Sequence, residues 1–250
     1  MLALITGASS GIGYSMAKYL SDKGYNLILV SRNKEKLQLI QKELKTEVKI
    51  IVADLTDESK VKDLYVLCKN DNIDILINNS GFGVFGKFDE TDLQSDLNLI
   101  DLNIKTVHVL TKLFLKDMKK KNSGYILNVA SAAAFQAGPL MATYYASKAY
   151  VMRLTLAISE ELRRDKSKVH VSCLCPGPVD TNFNEVANVR FSTKPLDSDY
   201  VAKYALDNMF KNKVLIVPSI KMKLAVFSNR FVSQKFGAKV TYSFQKKKKD

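Results

Sequence analysis

Short apolar segments alternate with longer amphipathic segments along most of the chain. The apolar segments are rich in Val, Ile and Leu, and near-continuous apolar strands of this kind suit a parallel sheet that is covered on both faces. They occupy residues 2–6, 26–31, 48–53, 73–78, 124–130, 169–175 and 214–217. The segments at 11–24, 33–45 and 57–70 carry apolar residues three and four positions apart, which predicts helices. The repeated order predicts an α/β fold, a Rossmann-like doubly wound parallel sheet of about seven strands with helices on both faces.

The length and composition predict a single domain. The chain has 250 residues, 46% of them hydrophobic, which is enough to bury one sizeable core. No internal repeat or interdomain linker interrupts the pattern. We place the domain at residues 1–245, with a basic amphipathic segment at about 219–245. The lysine-rich end at 246–250 is predicted to be a disordered tail.

The positive charge is concentrated at one end of the chain. The net charge is +13, yet residues 211–250 hold 11 Lys and Arg against one acid, while residues 1–210 hold 27 basic and 24 acidic residues. The body of the protein is therefore nearly balanced. Because the basic run lacks a base-reading motif and a matching patch elsewhere, we expect no nucleic-acid partner.

The cysteines and histidines are few. Cys68, Cys173 and Cys175 are an odd and sparse set, which predicts free thiols in a reducing compartment. No apolar run is long enough to cross a bilayer and no leader is visible at the start, so we expect a cytoplasmic protein. Cys173 and Cys175 alternate along a strand-like run, which favours core-facing thiols over a redox pair. His108 and His170 lie in different elements, and no metal site is expected.

A glycine-rich turn follows the first predicted strand and opens the first helix. Its sequence is TGASSGIG, residues 6–13. Glycines let the backbone turn tightly and approach a pyrophosphate at the helix N-terminus, where free N–H groups favour anions. The position between a strand and a helix favours this interpretation over a simple tight turn. The candidate cofactor contacts here are Gly7, Ser9, Ser10, Gly11, Ile12 and Gly13.

The end of the second strand bears on the choice of dinucleotide. Enzymes that prefer NAD usually place an acid there, against the adenosine ribose. This chain has Ser31 and Arg32 instead, with no acid before Glu35. Because a guanidinium can pair with a 2′-phosphate, the sequence predicts NADP(H). The alternative is a surface arginine at the start of a solvated helix.

Two adjacent tyrosines precede a lysine in the segment TYYASKAY, residues 143–150. Positions three and four apart share one face of a helix, so Tyr144 and Tyr145 could both lie near Lys148. The spacing by itself does not choose between them.

Taken together, these motifs resemble those of the short-chain dehydrogenase/reductase family. The hallmarks, in order, are Thr-Gly-x-x-x-Gly-x-Gly at 6–13, Asn-Asn-Ser-Gly at 78–81, Tyr-x-x-x-Lys at 144–148 and Pro-Gly-x-x-x-Thr at 176–181. The family places a serine 13 residues before its tyrosine, and Ser131 stands at that interval from Tyr144. The resemblance extends over nearly the whole chain and selects Tyr144. Ser80 replaces the family's usual alanine, a small-for-small change.

The resemblance implies a catalytic set of Asn103, Ser131, Tyr144 and Lys148. Tyr144 would be the general acid and base, and Lys148 would lower its pKa and hold the nicotinamide ribose. Ser131 would hold the carbonyl oxygen. Asn103 would kink its helix and hold a water for proton relay; the alternative is a solvent-facing polar residue.

Further cofactor contacts are implied by the same resemblance. They are Asp54, Leu55, Asn79, Gly81, Pro176, Gly177, Val179 and Thr181, together with Tyr144 and Lys148. Asp54 would accept from the adenine amino group, although an Asp there could instead be a helix N-cap, a role that Thr56 or Asp57 fills more plausibly. Asn78 is expected to tie neighbouring strands together.

The substrate is the least defined part of the prediction. Phe82, Phe85 and Phe88 either wall an apolar pocket or form core. In the family, residues 182–200 correspond to the substrate loop, and its apolar residues here are Phe183, Val186, Val189 and Phe191. We therefore expect an NADP(H)-dependent oxidoreductase that interconverts an apolar ketone or aldehyde and an alcohol. The alternative is a catalytically silent NADP(H)-binding sensor or a membrane-surface protein. The family also implies a homodimer or homotetramer.

The C-terminal segment has an apolar stripe at helical spacing. The stripe is Ile220, Leu224, Phe227 and Phe231, surrounded by Lys221, Lys223, Arg230 and Lys235. Packing of the stripe on the fold or on a neighbouring subunit is the favoured interpretation. Weak attachment to an anionic membrane surface is the other.

Overall fold

The computed structural model describes residues 1–181 and 195–246, the side chain of Arg230 excepted. All seven expected strands are present and form one parallel sheet in the order β3-β2-β1-β4-β5-β6-β7. The strands are β1 Leu2–Thr6, β2 Asn26–Ser31, β3 Val48–Val52, β4 Ile75–Asn78, β5 Gly124–Val129, β6 Val169–Leu174 and β7 Leu215–Ile216. The predicted doubly wound α/β fold is confirmed.

The helices fill the intervals between the strands. They are α1 Gly11–Asp22, α2 Lys34–Glu43, α3 Glu58–Cys68, α4 Leu93–Ile100, α5 Val107–Lys121, α6 Ala142–Arg164, α7 Ser198–Met209, α8 Ile220–Ser228 and α9 Gln234–Lys246. A π-helical turn, Asp101–Thr106, joins α4 to α5, and short 3₁₀ turns lie at Ala132–Phe135 and Asn229–Phe231. Helix α9 continues one residue past the expected domain boundary. Residues 247–250 and most of the expected substrate loop, with Phe183, Val186, Val189 and Phe191, lie outside the described residues.

The five inner strands of the sheet bury both of their faces, which explains their nearly continuous apolar sequences. In β1, Ala3 and Ile5 point to the core formed with α1, α2 and α7, and Leu4 points to the core formed with α3, α5 and α6. This alternation follows from the two-residue period of a strand. The helices therefore cover both faces of the sheet, as the doubly wound fold requires.

The order of the strands reverses at β1, which lies between β2 and β4. In open α/β sheets a crevice forms outside the carboxyl ends of the strands at such a reversal, and ligands bind there. The glycine-rich turn follows β1 and the Asn-Asn-Ser-Gly segment follows β4. The topology thus brings two of the sequence motifs to one edge of the sheet.

The apolar stripe of the C-terminal segment is exposed. Ile220, Leu224, Phe227 and Phe231 have 75, 65, 56 and 78% of their surface exposed. Packing of the stripe on the chain's own fold, part of the favoured interpretation, is therefore wrong. Within residues 1–181 and 195–246, no helix is both long enough and apolar enough to span a bilayer.

Candidate active site

The glycine-rich turn has the conformation that glycine allows. Gly7 and Gly11 have φ of +65° and +53°, in the left-handed region that other residues rarely adopt. Gly13 is required by close approach, because a Cβ there would lie 2.4 Å from the carbonyl oxygen of Gly7. The turn leads directly into α1, whose first N–H groups are free of helical partners. Ser9 and Ser10 lie on this turn and Ile12 is the second residue of α1, so all three border a helix N-terminus, where a pyrophosphate can bind.

The end of β4 fixes this turn from the side. The Asn79 amide nitrogen donates to the carbonyl oxygens of Thr6 and Gly7, at 3.1 Å each. The backbone N–H groups of Asn79 and Ser80 both donate to the Thr6 hydroxyl. Asn78 donates to Asn128 on β5 at 2.8 Å, so it joins neighbouring strands as expected. These bonds hold the turn in place.

The ends of β2 and β3 meet at the site expected to bind the adenosine ribose. The Ser31 hydroxyl donates to the Ser9 hydroxyl at 2.8 Å, which ties this end to the glycine-rich turn. Arg32 approaches Asp54 at 3.8 Å, with 72% of its side chain exposed. An exposed pair at this separation contributes little, so the guanidinium is available to an anion. Asp54 accepts from the Thr56 N–H and hydroxyl, while Asp57 caps α3.

Asn103 is fully buried in the π-helical turn. Its amide nitrogen donates to the Phe82 carbonyl at 2.9 Å and to the Ser147 hydroxyl at 3.1 Å, and its amide oxygen accepts from the Phe82 N–H. The solvent-facing alternative is therefore wrong. A π-helical turn is a local distortion that is common at functional sites. Here it directs Asn103 toward Gly81, where a Cβ would lie 2.8 Å from the amide oxygen and 3.2 Å from the Lys148 nitrogen.

Tyr144 and Lys148 lie together in the interior, one helical turn apart on α6. The Lys148 nitrogen lies 5.8 Å from the centre of the Tyr144 ring and donates to the Val129 carbonyl at 3.0 Å. Ser131, at the end of β5, makes a hydrogen bond to Tyr144 that lowers the pKa of the phenol, and its hydroxyl accepts from the Ala133 N–H. The structure thus brings the four expected catalytic side chains to one place at the carboxyl edge of the sheet.

Burial dominates the ionisation of this pair. It raises the pKa of Tyr144 to about 12 and lowers the pKa of Lys148 to about 8, because a dry interior disfavours the charged form of each. The expected lowering of the Tyr144 pKa by Lys148 is therefore wrong for this arrangement. The ammonium donates to a backbone carbonyl rather than to the phenol oxygen, and its field does not offset the desolvation.

Tyr145 packs beside Tyr144, but its hydroxyl has a different partner. Its ring packs on Gly138 and meets the Tyr144 ring edge-on, with 6.1 Å between the ring centres. Its hydroxyl accepts a 2.6 Å hydrogen bond from the amide nitrogen of Gln245 on α9. Gln245 is buried at the rim of the site. The sequence contained no signal for this contact, because the two residues are separated by 100 positions.

Apolar side chains surround the Tyr144 ring. They are Leu99, Ala133 and Met141, which are buried, with Phe82, Val84, Phe85 and Tyr145 partly buried against them. Phe88, by contrast, is 73% exposed and does not join this wall. Phe82 and Phe85 therefore pack against the cluster that holds Tyr144, and Leu99, Val84 and Met141 are members of it that a sequence reading missed.

The segment after β6 closes the site on its remaining side. The Pro176 carbonyl accepts from the Ala132 N–H beside Ser131, and Val179 pairs with Leu196. A Cβ on Gly11 would lie 2.7 Å from the Thr181 methyl, so this segment reaches the glycine-rich turn. Two other expected cofactor contacts lie nearby. Gly177 packs against the terminal methyl of Met222 on α8. Leu55 follows β3, and its carbonyl oxygen accepts a hydrogen bond from the Thr106 hydroxyl.

The Cys175 thiol borders this set, because it is hydrogen-bonded to the Ser131 backbone and lies near Lys148. Cys68, Cys173 and Cys175 are buried and free, and the Cys173 and Cys175 sulfurs lie 3.7 Å apart. In the part of the chain that the structure describes, no three His, Cys, Asp or Glu side chains are grouped to hold a metal ion.

The chain is similar in sequence to known oxidoreductases. A family model described as short chain dehydrogenase matches residues 1–190. An uncharacterized oxidoreductase of Staphylococcus epidermidis is 37% identical over 187 residues, which cover 74% of this chain and 80% of that protein.

Solved structures share the fold over nearly the whole chain. A short-chain dehydrogenase from Sphingobium yanoikuyae in complex with NADPH is 26% identical, with a TM-score of 0.83 and coverage of 92 and 93% of the two chains. The bulky-bulky ketone specific alcohol dehydrogenase from Comamonas testosteroni is 27% identical, with a TM-score of 0.80 and 92% coverage of each chain. A Burkholderia phymatum relative solved with NAD, at 24% identity and a TM-score of 0.82, covers 90 and 91% of the two chains and shows the shared fold alone.

Proposed function

Because the chain belongs to the short-chain dehydrogenase family and is an oxidoreductase of that family, we propose that it uses NADP(H) to interconvert an apolar ketone or aldehyde and the corresponding alcohol. The observation that carries this proposal is the convergence of Ser131, Tyr144 and Lys148 beside an apolar wall. A complete proton-transfer set at the carboxyl edge of the sheet favours turnover over a silent sensor.

The glycine-rich turn fits a dinucleotide. The turn can keep this conformation only because Gly7, Gly11 and Gly13 lack side chains, since a Cβ at any of them would meet a protein atom within 3 Å. We propose that this turn holds the pyrophosphate, with Asn79, Gly81 and the 176–181 segment bordering the remainder. The carboxylate of Asp54 would hold the adenine end and Leu55 would offer its backbone. When bound, the nicotinamide supplies the hydride.

Residues of the chain supply the proton that the carbonyl oxygen needs. Tyr144, with a pKa of about 12, stays protonated at neutral pH, and it is a much stronger acid than the alcohol that forms. It can therefore donate its proton to the carbonyl oxygen as hydride arrives at the carbon. Ser131 orients that oxygen by a hydrogen bond, and the Lys148 ammonium stabilises the phenolate that is left. A protonated Tyr144 beside a charged Lys148 is the combination that carbonyl reduction requires.

A panel of carbonyl compounds with NADPH tests the function. We expect loss of reduced-nicotinamide absorbance with apolar ketones, and faster turnover of these than of small charged keto acids, because the described side chains that pack with Tyr144 in its cluster are apolar. If the chain bound NADPH but turned over no carbonyl compound, the silent-sensor alternative would replace this proposal.

Arg32 is proposed to set the preference for NADP(H). Replacing it with alanine should lower kcat/KM for NADPH by roughly 10- to 100-fold, the loss expected for a charge-assisted hydrogen bond, and should change kcat/KM for NADH little. Arg164→Ala is the matched control, since Arg164 is equally exposed at the far end of α6. Better use of NADH by the unmodified protein, or an equal loss with both cofactors, would contradict the assignment.

The pH dependence should follow Lys148. Reduction needs Tyr144 protonated and Lys148 charged, and Lys148 is the first to lose its proton, with a pKa of about 8. We therefore expect kcat/KM for the ketone to be level near neutral pH and to fall as the pH rises above about 8, since kcat/KM reports the enzyme before the ketone binds. Lys148→Arg keeps the charge and should lose this descending limb, although its maximal rate falls. A level profile up to the alkaline limit of folding would exclude this role.

The free, buried thiols support a cytoplasmic location. We also propose that the protein assembles as a homodimer or homotetramer, as the family resemblance implies. Light scattering of the purified chain would give the subunit count.

A further inference from the structure

Helices α8 and α9 carry a surface that is apolar on its outside, which we name the C-terminal face. Its exposed apolar side chains are Ile220, Leu224, Phe227 and Phe231, followed on α9 by Phe236, Val240 and Phe244. In α9 the usual arrangement is inverted. Thr241 and Gln245 are buried, whereas the stripe at 236, 240 and 244 faces outward. A helix that turns its polar residues inward and its phenylalanines outward indicates that something apolar covers it.

The C-terminal face is attached to the rim of the active site at three points. Met222 lies over Gly177, where a Cβ would come within 2.9 Å of its terminal methyl. The Asn229 amide donates to the Gln136 side-chain oxygen at 3.0 Å. Gln245 donates to the Tyr145 hydroxyl. The two helices therefore form a roof over the site, with the apolar side directed away from it.

Lysines are interleaved with the exposed apolar residues. Lys221, Lys223, Lys235, Lys239 and Lys246 are exposed on the same two helices. No Asp or Glu occurs between Asp207 and Asp250 in the sequence. In the described part of the chain, no ion pair involves these five lysines. The face thus combines apolar anchors with an unneutralised positive charge.

We propose that the C-terminal face docks on the surface of an anionic lipid bilayer. The apolar side chains would enter the boundary between headgroups and acyl chains, and the lysines would pair with anionic headgroups. A second copy of the chain docked face to face would instead bring lysines against lysines with no acid between them, which is unfavourable. A bilayer satisfies both the apolar and the charged components of the surface.

Docking would place the rim of the active site at Tyr145 close to the membrane. An apolar carbonyl compound dissolved in the bilayer would then be near the roof of the site. This consequence rests on the proposed function, whereas the docking itself does not, so failure of either one leaves the other standing.

Sedimentation with vesicles tests the docking. The full chain should sediment with phosphatidylcholine vesicles that contain phosphatidylglycerol, should sediment far less with phosphatidylcholine alone, and should be released by high salt. The double variant Lys221→Gln/Lys235→Gln should weaken binding by roughly 10- to 30-fold. Its control is Lys166→Gln/Lys168→Gln. These two exposed lysines precede β6 and so lie at the amino-terminal ends of the strands, away from the active-site edge. The control variant should bind vesicles as the unmodified chain does.

A matched pair of leucines tests the apolar component. Leu224 and Leu39 are 65 and 66% exposed, so replacing either with serine should leave the melting temperature nearly unchanged. Leu224→Ser should lower the bound fraction and Leu39→Ser should not. The proposal is overturned if the chain fails to sediment at low salt, or if it binds neutral and anionic vesicles equally. It is also overturned if light scattering shows a dimer that Leu224→Ser dissociates while vesicle binding is absent, which would assign the face to a second copy.

Discussion

Tyr144→Phe is expected to lower kcat for carbonyl reduction by about 10²–10⁴-fold, the range for loss of a general acid, and to leave NADPH affinity nearly unchanged. The substitution removes only the hydroxyl, and the ring keeps its contacts with Leu99, Ala133 and Met141. Without that hydroxyl, the group proposed to transfer its proton to the developing alkoxide is missing, and the Ser131 hydroxyl only orients that oxygen.

Tyr145→Phe is the control for this experiment. It also deletes one phenol hydroxyl from the same turn of α6, but this hydroxyl accepts from Gln245 rather than from Ser131. We expect a loss of less than about tenfold in kcat, since the variant removes one hydrogen bond at the rim. Steady-state kinetics and titration of NADPH fluorescence would separate turnover from binding. Residual activity of Tyr144→Phe close to that of the unmodified enzyme would refute the assignment of the proton donor.

Gly13→Ala is expected to abolish NADPH binding and to destabilise the fold. The added Cβ would lie 2.4 Å from the Gly7 carbonyl oxygen and 2.5 Å from the Asn79 amide nitrogen. Moving either atom is unfavourable. The first belongs to the backbone, and the second is hydrogen-bonded to the Thr6 and Gly7 carbonyl oxygens. The turn must therefore open, at a cost of about 1–3 kcal/mol or more in the free energy of unfolding. An opened turn no longer presents its N–H groups to a pyrophosphate.

Gly237→Ala provides the comparison, because a Cβ at this helical glycine meets no atom within 4 Å. This variant should bind NADPH normally and unfold at the same temperature or slightly above it, since alanine is the better helix former by about 1 kcal/mol. Thermal unfolding with and without NADPH measures both effects. Normal stabilisation of Gly13→Ala by NADPH would show that the turn does not hold the cofactor.

Asn103 and Phe88 show that local sequence does not predict whether a side chain is buried or exposed. The position of Asn103 between the fourth and fifth strands was correctly identified, but its burial depends on the π-helical turn and on partners at Phe82 and Ser147. Phe88 has the same residue type and neighbourhood as Phe82 and Phe85, yet it faces solvent. Side-chain direction in a loop is set by what packs against it, and local sequence does not encode that.

The sequence by itself determined the strands, the helices and the order of the motifs. These features follow from short-range rules: an apolar residue at nearly every position of a doubly buried strand, a three-to-four period in helices, and glycine where the backbone must turn sharply. The choice of Tyr144 over Tyr145, and its grouping with Ser131 and Lys148, came instead from the family resemblance, because helical spacing fits both tyrosines.

Only the tertiary structure decided the environment of those residues. Burial moves the pKa of Tyr144 upward against the expected effect of Lys148, and a contact across 100 positions joins Tyr145 to Gln245. The C-terminal stripe has the periodicity of a packed helix, yet its apolar side faces outward. Desolvation and long-range contacts depend on which elements meet in space, and residues that are distant in the sequence supply them.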